Sequence, residues 1–246
     1  MNATAAGRVA QGEAAADEPA AASAVPLGIL VPGLPHPLLC PEGNPGWQRV
    51  HDGFGAARER IAASGADLLV IYSTMWPSIL GHQLQANPEP EWTHVDEDFH
   101  YLGSIPYKFR IDAEFAELAV AKARVRGLHA RTVAYHGFPI DTGAVVALKL
   151  LNPDNELPAV IVSSNIYANR TETVVLGKAL RDAVDYLVGL GHRTILPVFS
   201  HGQARPGVLR HKAFDAALAD LGASAPIKTP NTRAVNIKSR GFMLLL

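Results

Sequence analysis

Cysteine is all but missing from this 246-residue chain: Cys40 stands alone. That excludes an internal disulfide and any cysteine-rich zinc site. Clustered positive charge is missing too, and the formal net charge is −1. Nucleic-acid binding, which needs Lys and Arg gathered against phosphates, is therefore not expected. No apolar run reaches the roughly 18 residues of a membrane-spanning helix. The sequence also lacks a G-x-S-x-G elbow, a P-loop and a glycine-rich dinucleotide motif, which removes the commonest hydrolase and nucleotide readings. Residues 1–26 are rich in Ala, with Glu13, Asp17 and Glu18 among them. They have neither the basic start nor the continuous apolar stretch of a secretory signal. They read as a disordered extension or a misplaced start codon, and the protein as cytoplasmic.

What is present is the balance of a globular domain, with 48% hydrophobic and 18% charged residues, enough to build a sizeable core. Residues 27–31 form a short apolar run stopped by Pro32-Gly33, as in a buried strand entering a loop. Helical spacing follows over 47–64, with Val50, Phe54, Ala57 and Ile61 on one face and Gly65 as the stop. Residues 67–74 (DLLVIYST) read as a second buried strand. A polar and aromatic stretch over 75–110 is then long for a passive connection and is assigned a binding or contact role. A helix over 112–126 with Asp112 as N-cap, a strand over 131–135 and a short helix over 143–151 come next. The strand 159–164, the helix 171–190 and the strand 194–199 complete the clear pattern, with a weaker helix at 211–221. The alternation predicts an α/β fold: a single domain over 27–246 with a mostly parallel central sheet flanked by helices on both faces. Residues 222–246 have no clear period, and the C-terminal part reads as atypical or truncated.

Ten histidines are the main chemical resource. His36, His82 and His201 follow the first, second and fourth strong strands, where working residues of such sheets gather. Each could ligate a metal or shuttle a proton; the alternative for each is a surface or hydrogen-bonded histidine. A second cluster is His94, Asp96, Glu97, Asp98 and His100. It supplies nitrogen and oxygen donors over a short span. With no helix to align them, it reads rather as a solvated loop or partner surface.

Four segments in order along residues 27–200 resemble the class III extradiol ring-cleavage dioxygenases. Val31-Pro32-Gly33-Leu34-Pro35-His36-Pro37 is similar to the family's N-terminal motif, whose histidine is the first iron ligand. Residues 66–76 (ADLLVIYSTMW) resemble the second-ligand strand. Residues 138–151 (FPIDTGAVVALKLL) resemble the Asp-His-Gly segment, where a histidine contacts substrate. Residues 198–201 lie near the region of the acid–base histidine. The resemblance implies Fe(II) held by two histidines and a carboxylate, with open positions for an aromatic substrate and O2.

The chain departs from that pattern at several points. His36 keeps the first ligand position, but Met75 stands at the second, and a thioether is a poor Fe(II) ligand beside oxygen donors. Thr142 replaces the substrate-contacting histidine, next to Trp76 as a second expected pocket residue. The family's glutamate ligand lies near its C-terminus, whereas the last glutamate here is Glu172. His201 is the remaining acid–base candidate. Two-subunit members of the family pair a catalytic subunit with a homologous one that lacks the iron site, and residues 72–76, 80–82 and 94–97 resemble the latter. The resemblance thus implies a non-catalytic structural subunit of an enzyme acting on an aminophenol or catechol. It implies no iron bound by this chain alone and a homologous catalytic subunit as partner. The aromatic segment 76–107 is then an expected interface; the alternative is a loop covering its own vacated pocket. Two other readings stay open. One is an active enzyme with iron held by His36, His82 and a carboxylate of the 96–98 loop. The other is a truncated, non-functional copy.

Overall fold

The computed structural model of the protein describes residues 27–189 and 196–199, with residues 188–189 and 196–199 as backbone only. His201, the helix expected at 211–221 and the C-terminal segment lie outside the described residues.

Strand β1 (Ile29–Leu30) runs out at Pro32-Gly33, and α1 (His36–Leu39) follows behind Pro35. Helix α2 (Pro45–Ser64) begins two residues before the apolar spacing does, because Asn44 Oδ1 accepts from Gly46 and Trp47 N–H at 2.7 and 3.0 Å. It ends where Gly65 turns left-handed at φ 65°. Strand β2 (Leu69–Ser78) then crosses the centre of the molecule.

The expected loop over 75–110 is not one. It contains β3 (His82–Gln85), the hairpin β4 (Glu91–His94) and β5 (Ile105–Lys108), and the end of β2. Strand β3 escaped notice because three of its four residues are polar, which hides any apolar run or alternation. It is nonetheless a sheet strand, with His82, Leu84 and Gln85 at 2%, 0% and 1% exposure. The turn into it requires Gly81: φ is +84°, and a Cβ there would lie 2.3 Å from the His129 carbonyl oxygen.

Helix α3 (Ala113–Val125) starts as expected at Asp112, whose carboxylate accepts from Phe115 N–H at 2.8 Å. Strand β6 (Ala130–Val133), helix α4 (Thr142–Leu151), strand β7 (Ala159–Asn165), helix α5 (Arg170–Gly189) and strand β8 (Leu196–Phe199) follow. The sheet order is β1-β8-β2-β7-β3-β6. All neighbours are parallel except β3 against β7, which meet at Leu84 and Val162. The α/β architecture and mostly parallel sheet are therefore as the sequence implied.

The period of two along each central strand divides the core. Leu69 and Ile71 of β2 with Ala159 and Ile161 of β7 face α2 and α4, through Phe54, Ile61, Val145 and Leu148. Val70 and Tyr72 with Val160 and Val162 face α3 and α5, through Phe115, Val120, Leu176 and Leu180. Each fully buried aliphatic side chain contributes about 1.5–3 kcal/mol of transfer free energy. Both faces of the sheet are thus held, and its strand ends are fixed in place. The hairpin packs beneath α4 through Ile105, Tyr107 and Phe109, with the Tyr107 and Phe109 rings stacked at 5.0 Å. No helix among the described residues is long and apolar enough to cross a membrane.

Candidate functional site

Strand β2 meets the amino end of α4 at Ser73 and Asp141, beyond the carboxyl side of the parallel sheet where working residues usually gather. Asp141 is the N-cap of α4. Its Oδ1 accepts from Ala144 N–H at 3.0 Å and from the Ser73 hydroxyl at 2.7 Å, which ties the helix start to β2. Its other oxygen, Oδ2, is buried and has no hydrogen-bond partner. Burial holds the Asp141 carboxyl above the usual carboxylate range, against the lowering effect of the Ser73 and backbone hydrogen bonds.

Thr142, the next residue, is buried at 5% exposure. Its hydroxyl donates to Asp96 Oδ2 at 2.6 Å, and His94 Nε2 lies 2.6 Å from the Thr142 Oγ1 itself. A hydroxyl has one proton to give, so with that proton on Asp96 it accepts from His94 Nε2–H. Asp96 Oδ1 in turn accepts from the Asp98 and Phe99 backbone N–H groups at 3.0 and 2.9 Å. Burial lowers the pKa of His94, opposed by the negative charges of Asp96, Asp141 and Glu97.

His36 sits at the start of α1 with both faces of its ring engaged. Trp47 stacks on it at 4.8 Å, and Phe99 meets it edge-on at 4.6 Å. Its Nδ1 is buried without a hydrogen-bond partner, and desolvation lowers its pKa against the pull of Asp96. The neighbouring His51 ring shares a 2.8 Å hydrogen bond with the Pro37 carbonyl.

The structure thus brings His36 and Thr142 into one neighbourhood through Asp96 and Phe99. Trp76 lies on the same strand end as Ser73, tilted against Phe138 at 5.3 Å. His82 is not on a loop after the second strand: it opens β3 inside the sheet, and its N–H is bonded to the His129 carbonyl at 2.8 Å. The expected solvated cluster at 94–100 also needs correction. Glu97, Asp98 and His100 are exposed, but Asp96 is 7% exposed and faces inward. His94 and Asp96 belong to the donor cluster singled out in the sequence, which was read rather as a solvated loop, and Asp141 was not singled out. The cap signal of Asp141 ahead of an apolar helix could have been found. The Asp96–Thr142 link spans 46 positions and leaves no local trace.

The donor set does not fit an iron centre among these residues. Met75, which the resemblance set at the second-ligand position, is 38% exposed and offers only a thioether. No group of three or more His, Cys, Asp or Glu side chains that could hold a metal occurs among the described residues. His36, His82 and a carboxylate of the 96–98 loop are accordingly not assembled into a site.

The chain is 34% identical over 146 residues to the 2-aminophenol 1,6-dioxygenase alpha subunit of a Pseudomonas species, covering 59% of this chain and 54% of that one. It is 27% identical over 171 residues to the beta subunit of a Pseudomonas enzyme of the same name, covering 64% and 56%. The chain therefore spans about half the length of the curated relatives it matches. Among solved structures, an uncharacterized protein of Escherichia coli K12 aligns with a TM-score of 0.40 at 14% identity, covering 60% of this chain and 50% of that one, too distant to bear on the site. Residues 31–195 match the model of the catalytic LigB subunit of aromatic ring-opening dioxygenase; with more than half its length matched, the chain belongs to that family.

Proposed function

We propose that this chain is a non-catalytic subunit of an extradiol dioxygenase that opens the ring of an aminophenol or catechol. In this reading it packs against a homologous subunit that carries the iron. The observation that carries the reading is the pair of changes at one strand end and one helix start. Met75 stands where the family's second histidine ligand belongs. Thr142 stands where its substrate-contacting histidine belongs, and its hydroxyl is already committed to Asp96 and His94.

A thioether with a hydrogen-bonded hydroxyl does not replace two imidazoles at a hard, oxygen-rich ferrous centre. Among the described residues the sheet has a core on both faces, which supports a folded body able to present a surface. The greater identity to the subunit named alpha than to that named beta supports the same reading. Exposed apolar side chains within the 76–107 segment, namely Ile79, Leu80, Trp92 and Tyr101, suit it for contact with a partner.

The test is iron content and ring cleavage on 2-aminophenol and protocatechuate, for the chain alone after anaerobic Fe(II) loading and after co-expression with a catalytic homologue. The expected result is neither iron nor turnover alone, with a stable complex and turnover together. Stoichiometric iron with turnover by the lone chain would overturn the reading.

A further inference from the structure

The segment between the two hairpin strands, residues 95–104, carries Phe99 onto the edge of the His36 ring. Within that segment, Asp96 closes a local turn by accepting from the Asp98 and Phe99 N–H groups. Nothing in that turn attaches it to the body of the protein. Attachment comes from Asp96 Oδ2, which accepts from Thr142 at the first turn of α4, and from His94, which reaches the same hydroxyl. Asp96 and Thr142 are 7% and 5% exposed, whereas Val95, Glu97, Asp98, His100 and Tyr101 are exposed. A buried polar contact therefore sits in a mostly exposed segment, whose half-buried residues are Phe99, against the His36 ring, and Leu102.

We infer that Asp96, Thr142 and His94 form a latch that holds the 95–104 segment closed over His36. Its chemistry is that of a buried, charge-assisted hydrogen bond. Losing one partner leaves the other desolvated and unsatisfied, and the strap then does better by opening to water. Opening lifts Phe99 away and uncovers one side of the His36 ring, while the stacked Trp47 on α2 stays in place. The inference does not depend on the subunit reading, since it concerns only how this chain covers its own histidine.

Hydrogen–deuterium exchange of the full chain read by mass spectrometry tests this, comparing wild type with Thr142→Val and Thr142→Ser. Valine keeps the shape of threonine and removes the hydroxyl; serine keeps the hydroxyl. The Asp96 turn survives in both, so a change reports on the link to α4 rather than on the turn. The expected result is exchange about tenfold faster in peptides covering 95–104 in the valine variant, with the serine variant near wild type. Peptides from β2, β7 and α3 should be unchanged. Unaltered exchange at 95–104 in the valine variant would overturn the latch. So would equal acceleration throughout the chain, because Thr142 would then be a general stability residue.

Discussion

Ser73 donates its hydroxyl to Asp141 Oδ1 at 2.7 Å, joining the middle of the central strand to the N-cap of α4 across 68 positions of sequence. This bond fixes where the helix begins and hence where Thr142 and its hydroxyl point.

Asp141→Ala removes both the cap and the acceptor for Ser73. The expected loss is about 1–3 kcal/mol, measured by urea unfolding. Asp141→Asn should lose less, because the amide oxygen can take both hydrogen bonds.

The same two variants differ from wild type in pH dependence. The folded-state pKa of Asp141 is raised, so between its unfolded and folded values the native state binds more protons than the unfolded state. Stability should therefore fall as pH rises from the ordinary aspartate range through the raised value, then level off. Asparagine cannot titrate, and the unfolding midpoint of Asp141→Asn should lack that fall. A wild-type curve parallel to that of the asparagine variant would contradict the assignment.

His94 carries the opposite sign. Its pKa is lowered from 6.5, so the unfolded state binds the extra proton first as pH falls. Its contribution is complete above about 6.5 and is lost as pH drops through the depressed folded value. The imidazole proton resonances of His94 should accordingly titrate below the ordinary histidine value of 6.5.

Gly81→Ala should be costly for two independent reasons. The backbone is at φ +84°, and the added Cβ would meet a carbonyl oxygen of the neighbouring segment at 2.3 Å. A loss of about 2 kcal/mol or more is expected in chemical denaturation. In contrast, Gly65→Ala meets nothing within 4 Å and should lose only the left-handed preference, about 1 kcal/mol.

Phe115, at 1% exposure, is among the largest buried side chains on the α3–α5 side of the sheet. Phe115→Ala should lower stability by about 3–5 kcal/mol, leaving the features on the α4 side unaltered in a spectroscopic comparison.

The sequence disclosed elements whose causes are local. Asp112 capping α3, Gly65 ending α2 and the apolar runs of β2 and β7 all act within a few residues, and each was readable. Strand β3 was not, because His82, Gln83 and Gln85 are accommodated by the rest of the sheet rather than by any apolar pattern of their own; Gln83 N–H, for example, donates to Ser163 Oγ at 2.8 Å. Asp96 misled for a related reason. Among Glu97 and Asp98 it looks like one more solvated acid, and only Thr142, far away in sequence, makes it an interior residue. His36, Met75, Trp76 and Thr142 were placed through family resemblance, and the fold sets all four near the same strand and helix ends.

Among the described residues strand β1 lies at the edge of the sheet, and its partner is β8, with Ile29 opposite Val198 and Leu30 opposite Phe199. On the ribosome, that partner emerges only after all the intervening chain has been made. The strand leading to His36 must therefore wait for its neighbour, and the long loop it closes raises the entropic barrier to docking. The central strands can assemble before this happens, so the His36 end of the molecule should be the last part to acquire its native order and the first to tempt a protease during synthesis.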